Sequence, residues 1–335
     1  MVNQFHMKNI LIIILAILIA FPAAAGNNKQ RNRLKVGLVL GGGGAKGAAE
    51  VGVLKYIEKS GIPIDYIAGT SIGSIVGGLY SCGYRSADLD TMFCSQTWTT
   101  LLADRNMDYD KRLITKKNGV TYVLGFPVAR NKKAKADGIS TPGLVRGDSI
   151  VHLLNAMTRR PDSLSFNNLP IPFSCVAVDV RHMREVVIDR GILAEAMRSS
   201  MSIPGVFKPV ERDSMLLVDG GVLNNLPVDV VRKMGADVVI AVDLTQNKRE
   251  TRDKKMHKRK GLGLLLEWVR TRPDLIKYNQ NIKDCDVYIN PDLKGFDAAS
   301  FNLEKIQQMI ERGEKAGKKA ESSLKKLKRR VMAGK

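Results

Sequence analysis

A serine in a glycine-rich turn has the setting of a nucleophile. Gly69, Thr70, Ser71, Ile72 and Gly73 form a G-x-S-x-G pattern between a strand-like run and a helix-like run. Flanking glycines allow the sharp turn that exposes the serine hydroxyl, and the N-terminus of the following helix offers partial positive charge to an oxyanion. Ser71 is therefore the candidate nucleophile, with Gly69 and Gly73 as the glycines of the elbow.

A second glycine-rich turn, at residues 41–47, follows the first strand-like run. Its N–H groups suit a phosphate or the oxyanion of an ester under attack. The candidate oxyanion-hole residues are Gly42, Gly43, Gly44, Ala45 and Lys46. The turn also satisfies the G-x-G-x-x-G pattern of a dinucleotide-binding module, although the acidic residue expected at the end of the second strand is missing. Because the glycine pattern itself is satisfied, a nucleotide-binding module stays as the less favoured alternative.

A serine nucleophile needs a base, which is ordinarily a histidine. Asp219 follows a strand-like run and precedes two glycines, so the strand delivers a carboxylate to an exposed turn, although an Asp-Gly-Gly by itself is usually just a turn. His257 follows Ser71 and Asp219 in the chain order of an α/β-hydrolase triad. Its cationic neighbours, however, disfavour an imidazolium there. His152 and His182 are interpreted as surface or packing residues, so Asp219 is preferred and a Ser-His-Asp esterase using His257 is the alternative.

The elements that position these residues follow from hydrophobic periodicity. Residues 34–40 and 65–68 are predicted strands, and residues 48–60 and 74–80 are the helices that follow them. Two strand–turn–helix units in succession predict a parallel sheet covered by helices. Further predicted strands lie at 173–179, 185–189, 215–218 and 237–243, and further helices at 148–157, at 193–200 and from Pro227 onward. Residues 88–136 show no readable pattern, and we expect an irregular flap there.

These residues together resemble the patatin-like phospholipases, in particular the short single-domain bacterial members. The matching motifs are GGGAKG at 42–47, GTSIG at 69–73, AMRSSMSIPGVFKP at 196–209 and DGG at 219–221. The resemblance implies a three-layer α/β/α fold with a mostly parallel central sheet. It also implies a Ser71–Asp219 dyad without histidine, an oxyanion held around Gly43 and Gly44, and hydrolysis of lipid or phospholipid acyl esters through an acyl-enzyme, without metal or cofactor. Residues 34–232 form the expected catalytic domain.

The N-terminus has the layout of a secretory signal, with Lys8, an apolar run at 10–21 and small residues at 23–25. The run is too short to span a bilayer. We expect residues 1–25 to be a signal peptide and 26–33 a linker, and the protein to be exported to the periplasm or secreted. A retained N-terminal anchor is the alternative. Residues 233–300 are expected to complete the α/β fold.

The formal net charge of +20 favours anionic partners. Lysines and arginines crowd a predicted exposed loop at 248–260 and a predicted C-terminal helix at 301–335. These two regions suit an anionic membrane surface, which a lipid hydrolase must reach. We do not expect a nucleic acid partner, because interleaved aromatic residues and a recognisable motif are missing. A solvated basic face without any partner is the alternative.

The four cysteines, Cys82, Cys94, Cys175 and Cys285, match neither a CxxC redox pair nor a zinc site. Export would place them where disulfides form. Because Cys82 follows a helical pattern and Cys175 lies inside a predicted strand, we predict buried, reduced thiols and no metal.

Overall fold

The computed structural model describes residues 33–104, 115–117, 120–122, 145–158, 164–246 and 274–334. The predicted signal peptide, all of the predicted linker except Arg33, and the basic loop 248–260 with His257 lie outside these residues. Most of the predicted flap lies outside them as well.

A mixed sheet forms the centre of the molecule. Its strands are β1 (Val36–Leu40), β2 (Tyr66–Thr70), β6 (Phe173–Asp179), β7 (Arg184–Ile188), β9 (Val210–Arg212), β10 (Met215–Asp219), β11 (Val238–Val242) and β12 (Val287–Ile289). The order is β12-β11-β1-β2-β6-β10-β9, with β7 beside β6. The strands from β12 to β6 are mutually parallel, whereas β7, β10 and β9 join by antiparallel pairs. Two small ladders pair β3 (Thr115–Lys117) with β4 (Val120–Tyr122) and β5 (Leu164–Ser165) with β8 (Arg190–Gly191).

Helices cover both faces of the sheet. They are α1 (Ala48–Ser60), α2 (Ile72–Ser81), α3 (Ser86–Ser95), α4 (Trp98–Leu102), α5 (Asp148–Thr158), α6 (Leu193–Ser200), α7 (Val228–Lys233), α8 (Leu275–Lys283) and α9 (Leu303–Ala333). The strand β1 is buried on both sides: Leu38 and Leu40 pack into the cluster that includes α1, α2 and α6, and Val39 packs into the cluster with α7 and α8. Continuous apolar strands of this kind are typical of a parallel sheet between two helical layers. The predicted three-layer fold is confirmed.

Several predicted boundaries hold to the residue. The helix at 48–60 ends at Gly61, whose φ of 62° is the left-handed conformation that favours glycine at a helix end. The strand at 173–179 and the helix at 193–200 are also as predicted. The prediction for the serine turn was wrong in extent, because β2 continues through Gly69 and Thr70 and α2 begins at Ile72.

The prediction of an irregular flap from residue 88 was wrong for its first part. Residues 86–95 and 98–102 form α3 and α4. Trp98 and Phe93 are fully or almost fully buried with ring centroids 5.2 Å apart, and the Trp98 indole N–H donates to the Phe93 carbonyl. Burial of two large aromatic rings stabilises these short helices, which show little periodicity of their own.

The predicted C-terminal helix is present as α9 and packs along α1. Glycines allow close contact, since a Cβ on Gly313 would lie 1.9 Å from the Ala49 carbonyl oxygen. The segment just before α9 touches the glycine turn, where the Ala45 N–H donates to the Ala298 carbonyl at 2.9 Å. The far end lies beside the start of β1, where the Leu34 N–H donates to the Val331 carbonyl. The helix therefore runs from the carboxyl edge of the sheet to its amino edge, over about 46 Å.

All four cysteines lie in the described residues and form no disulfide. Only Cys175 is fully buried, so the prediction of buried thiols was wrong for Cys82, Cys94 and Cys285, which are partly exposed. Within the described ranges no cluster of histidine, cysteine and acidic side chains has the geometry of a metal site. None of the helices described here is both long enough and apolar enough to cross a membrane.

Candidate active site

Two strands that are distant in the chain meet end to end beside β6. The last residue of β2, Thr70, lies opposite Val176, and the last residue of β10, Asp219, lies opposite the next residue, Ala177. Because β7 pairs with the other edge of β6 over the same residues, β2 and β10 must share one edge. They run in opposite directions along it, so their carboxyl ends face each other. This arrangement brings Ser71 and Asp219 together.

The two side chains form a direct hydrogen bond. The Ser71 hydroxyl donates to Asp219 Oδ2 at 2.6 Å, and the other carboxylate oxygen accepts the Gly221 N–H at 2.8 Å. Ser71 is 4% exposed and Asp219 is 7% exposed. The structure therefore joins the predicted nucleophile and the predicted base in a nearly dry site.

The turn at Ser71 is strained, and its flanking glycines are required by space. Ser71 has φ 55° and ψ −124°, a conformation that costs a non-glycine residue on the order of 1–3 kcal/mol. A Cβ on Gly69 would lie 2.4 Å from the Gly73 carbonyl oxygen, and one on Gly73 would lie 2.3 Å from the Leu40 carbonyl oxygen. Both elbow glycines thus allow the sharp turn that aims the hydroxyl at Asp219.

Burial changes the proton affinity of the carboxylate. Loss of solvent raises the pKa of Asp219 from 3.8 to about 6, while the hydrogen bonds from Ser71 and Gly221 act in the opposite direction. A carboxylate with this pKa is still mostly ionised at neutral pH and is more basic than a solvated one. Asp219 is therefore suited to accept a proton from Ser71.

The glycine turn lies against Ser71, and its amides differ in their partners. A Cβ on Gly42 would come within 3.2 Å of the Ser71 Cβ. The Gly42, Ala45 and Lys46 N–H groups donate to carbonyls within the chain, at 3.2, 2.9 and 3.4 Å. Among the described residues we find no acceptor for the Gly43 and Gly44 N–H groups. In the part of the chain that the structure describes, this distinguishes Gly43 and Gly44 from the other three predicted oxyanion-hole residues.

Two residues of the site were not predicted from the sequence. Asn225 braces the glycine turn, since its carbonyl accepts the Gly42 N–H and its side-chain amide donates to the Gly42 carbonyl at 3.2 Å. Ser200, at the end of α6, accepts the Ser71 N–H at 2.9 Å. The sequence signal for Ser200 was the matching block at 196–209, but nothing in that block indicates which side chain reaches the elbow.

Two histidines, His152 and His182, lie in the described residues. His182 Nδ1 lies 2.5 Å from Asp179 Oδ2, and its side chain is 62% exposed. His152 is exposed on α5. Neither of them hydrogen bonds to Ser71 or Asp219. The interpretation of both as surface residues agrees with this, whereas His257 lies outside the described residues.

Comparison with known proteins places the chain in a family. An NTE family protein of Mycobacterium tuberculosis is 34% identical over 63% of this chain and 49% of its own length. The neuropathy target esterase sws of Drosophila melanogaster is 32% identical over 62% of this chain and 13% of its own. Lysophospholipase NTE1 of Mycosarcoma maydis is 33% identical over 63% of this chain and 10% of its own. The chain thus spans about half the length of the mycobacterial relative and about a tenth of the eukaryotic ones.

Among solved structures, VipD from Legionella pneumophila is similar, with a TM-score of 0.46 and 14% identity over 87% of this chain and 67% of that one. A family model described as patatin-like phospholipase matches residues 38–232, which include the glycine turn, Ser71 and Asp219. Because that match covers more than half of the chain, this protein belongs to the patatin-like phospholipase family.

Proposed function

We propose that this protein hydrolyses lipid acyl esters as a phospholipase A or lysophospholipase, with Ser71 as nucleophile and Asp219 as base. The observation that carries this proposal is the 2.6 Å hydrogen bond between the Ser71 hydroxyl and a buried carboxylate. Family membership supports lipid as the substrate class, and one relative is named a lysophospholipase. The relatives that we compared are longer proteins, so the activity of this chain rests on its own site.

The reaction begins when Asp219 accepts the hydroxyl proton as Ser71 Oγ attacks the ester carbonyl carbon. The tetrahedral oxyanion then accepts hydrogen bonds from the Gly43 and Gly44 N–H groups, which supply most of their stabilisation in the transition state. The C–O bond of the leaving alcohol breaks as Asp219 returns the proton to it, which leaves an acyl-enzyme on Ser71. Water, deprotonated by Asp219, attacks the acyl carbon, the bond from that carbon to Ser71 Oγ breaks, and Asp219 returns the proton to Ser71 Oγ as the fatty acid leaves.

Two substitutions test this assignment. Ser71→Ala and Asp219→Asn should each reduce turnover of a phospholipid or lysophospholipid by a factor of about 10³ or more, while the circular dichroism spectrum stays native. A fluorophosphonate probe should label the unsubstituted protein and not Ser71→Ala. His182→Ala is the matched control and should keep full activity.

The opposite outcome would identify the histidine alternative. If Asp219→Asn keeps near-native rates while His257→Ala loses them, the base is His257. If Ser71 is not labelled at all, the protein is not a serine hydrolase, and a non-catalytic nucleotide-binding module should then be tested with nucleotide titrations.

We further propose that basic surfaces of the protein dock on an anionic membrane. The exposed cations of α9 support this, namely Arg312, Lys315, Lys318, Lys319, Lys325, Lys326, Arg329 and Arg330. Each cation near an anionic bilayer contributes about 1 kcal/mol of screened attraction. The last turns of α9 lie at the amino edge of the sheet, and Ser71 lies at the carboxyl edge. Substitutions in these turns therefore lie away from Ser71.

Vesicle sedimentation tests the docking proposal. A Lys325→Glu, Lys326→Glu, Arg329→Glu triple variant should lose binding to vesicles that contain anionic lipid, and high salt should release the unsubstituted protein. Hydrolysis of a soluble ester should not change. Equal binding of the unsubstituted protein to neutral vesicles would contradict the proposal. If the triple variant loses binding to nucleic acid or heparin but not to anionic vesicles, the partner is a different polyanion.

Export of the protein is a separate proposal that rests on residues 1–25. N-terminal sequencing of protein recovered from the periplasm or the medium tests it, with cleavage expected near Ala25. A full-length N-terminus in a membrane fraction would indicate the retained anchor instead.

A further inference from the structure

One buried serine links the nucleophile to the central sheet. Ser200 is fully buried at the end of α6, and its hydroxyl makes two hydrogen bonds. The oxygen accepts the backbone N–H of Ser71 at 2.9 Å, and the hydroxyl donates to the Val176 carbonyl at 2.6 Å. A single side chain therefore connects the backbone of Ser71 to β6.

The same short segment also contacts the base. The Asp219 N–H donates to the Ser202 carbonyl at 2.9 Å. Ser202 is in turn held by Arg198, whose guanidinium donates to the Ser202 hydroxyl and whose carbonyl accepts from it. Residues 200–202 thus bind the backbone N–H groups of both members of the dyad. This segment lies in the block 196–209, to which the proposed function assigns no role.

Val176, whose carbonyl accepts the Ser200 hydroxyl, lies where β6 pairs with the ends of both β2 and β10. Val176 is the residue opposite Thr70, and its neighbour Ala177 is opposite Asp219. The hydrogen bond from Ser200 to Val176 therefore ties the strained turn at Ser71 to the strand that also fixes Asp219. Loss of that tie would let the Ser71 backbone relax from its φ of 55°, and the hydroxyl would move relative to the carboxylate.

We propose that Ser200 is a positioning residue, whose hydroxyl holds the Ser71 backbone so that Ser71 Oγ stays within hydrogen-bonding reach of Asp219. This inference rests on the proposed hydrolase activity of Ser71. It predicts an effect on the chemical step rather than on substrate binding, because Ser200 is buried behind the elbow and offers no surface to the acyl chain.

Ser199 provides a matched control. It is the neighbouring residue on α6, it is equally buried, and its hydroxyl donates to the Glu195 carbonyl one helical turn earlier at 2.7 Å. Removal of the Ser199 hydroxyl deletes one buried hydrogen bond within the helix and leaves the Ser71 N–H bonded. A general loss of packing in α6 would therefore appear in both variants.

The experiment compares Ser200→Ala with Ser199→Ala in the full chain. Ser200→Ala should lower kcat by about 10- to 100-fold with little change in KM, because the Ser71 N–H loses its buried partner. Fluorophosphonate labelling of Ser71 should slow by a similar factor. Ser199→Ala should stay within about 3-fold of the unsubstituted protein on both measures.

The pH profile separates positioning from simple destabilisation. The Ser71 hydrogen bond lowers the pKa of Asp219, so a misplaced hydroxyl should move the acid limb of kcat to higher pH in Ser200→Ala and not in Ser199→Ala. Should Ser200→Ala fail to fold, Ser200→Cys keeps the side-chain volume and replaces the oxygen by a weak acceptor. It should show the same changes.

Two outcomes would overturn the inference. The first is that the Ser200 variants match Ser199→Ala in kcat and in the position of the acid limb. The second is that they change only KM. Either result would show that Ser200 does not position the nucleophile. An unsubstituted protein without Ser71 labelling would instead overturn the proposed function, so the two failures are distinguishable.

Discussion

Replacing Asp219 by asparagine should stabilise the folded protein while it abolishes activity. Burial raises the pKa of this carboxyl, so the charged form is penalised in the folded state and not in the unfolded chain. A raised pKa contributes stability that is complete below the unfolded value of 3.8 and is lost as the pH rises to about 6. An asparagine has no charge to desolvate and is free of this loss at neutral pH.

The size of the effect follows from the two pKa values. The interval from 3.8 to about 6, at about 1.4 kcal/mol for each pKa unit, corresponds to roughly 3 kcal/mol. This interval compares the ionised carboxyl with the protonated one, and the asparagine amide fits the Ser71 and Gly221 hydrogen bonds less well than the protonated carboxyl, which offsets about 1 kcal/mol. We therefore expect Asp219→Asn to be more stable than the unsubstituted protein by about 2 kcal/mol at pH 7.5, and slightly less stable at pH 3.5.

Urea unfolding at several pH values measures this difference directly. The difference in the free energy of unfolding between Asp219→Asn and the unsubstituted protein should rise between pH 4 and pH 6 and stay constant above pH 7. Ser199→Ala, at a fully buried serine whose hydroxyl donates to the Glu195 carbonyl of its own helix, is a control and should show no such pH dependence. A pH-independent difference, or a destabilised Asp219→Asn at pH 7.5, would refute the raised pKa of Asp219.

The base, a second buried carboxyl and the serine elbow each give a further expectation that can be measured. The acid limb of kcat/KM should lie near pH 6 and fall about tenfold per pH unit below it, since protonated Asp219 is not a base; a limb near pH 4 would contradict burial of the base. Glu50 is fully buried, and its carboxyl oxygens have no hydrogen-bond partner apart from a weak contact with the Gly41 N–H, so Glu50→Met should raise the free energy of unfolding by about 1–3 kcal/mol in urea titrations, and a loss of stability would indicate an unrecognised role. Gly73→Ala, which would place a Cβ 2.3 Å from the Leu40 carbonyl oxygen, should lower thermal stability by about 1–3 kcal/mol and abolish labelling of Ser71, and native labelling would show that the elbow tolerates a side chain.

The sequence alone was sufficient for elements with clear periodicity. The helix at 48–60 is marked by a glycine at its C-terminal end. The strand at 173–179 is marked by its own run of β-branched and small apolar residues. Ser71 and Asp219 were also picked out as the candidate nucleophile and base, because each follows a strand-like run and lies within two residues of a glycine. Local patterns of this kind need no knowledge of distant residues.

Elements that depend on distant contacts were predicted poorly. The helices at 86–95 and 98–102 lie in a segment without a readable pattern, because buried aromatic packing stabilises them rather than a regular apolar stripe. The basic C-terminal helix was predicted, but its direction was not. Its path from the carboxyl edge to the amino edge is fixed by glycine contacts such as Gly313 against Ala49.

The residue types at the site were therefore determined by the sequence, and their convergence was decided by the tertiary structure. Ser71 and Asp219 are separated by 148 positions, and no local interaction relates them. They meet because β2 and β10 end at adjacent residues on one edge of β6, which is a matter of strand register. The same register gives Ser200 a carbonyl on β6 and an amide on the elbow, because hydrogen bonds between distant segments form only after the sheet has assembled.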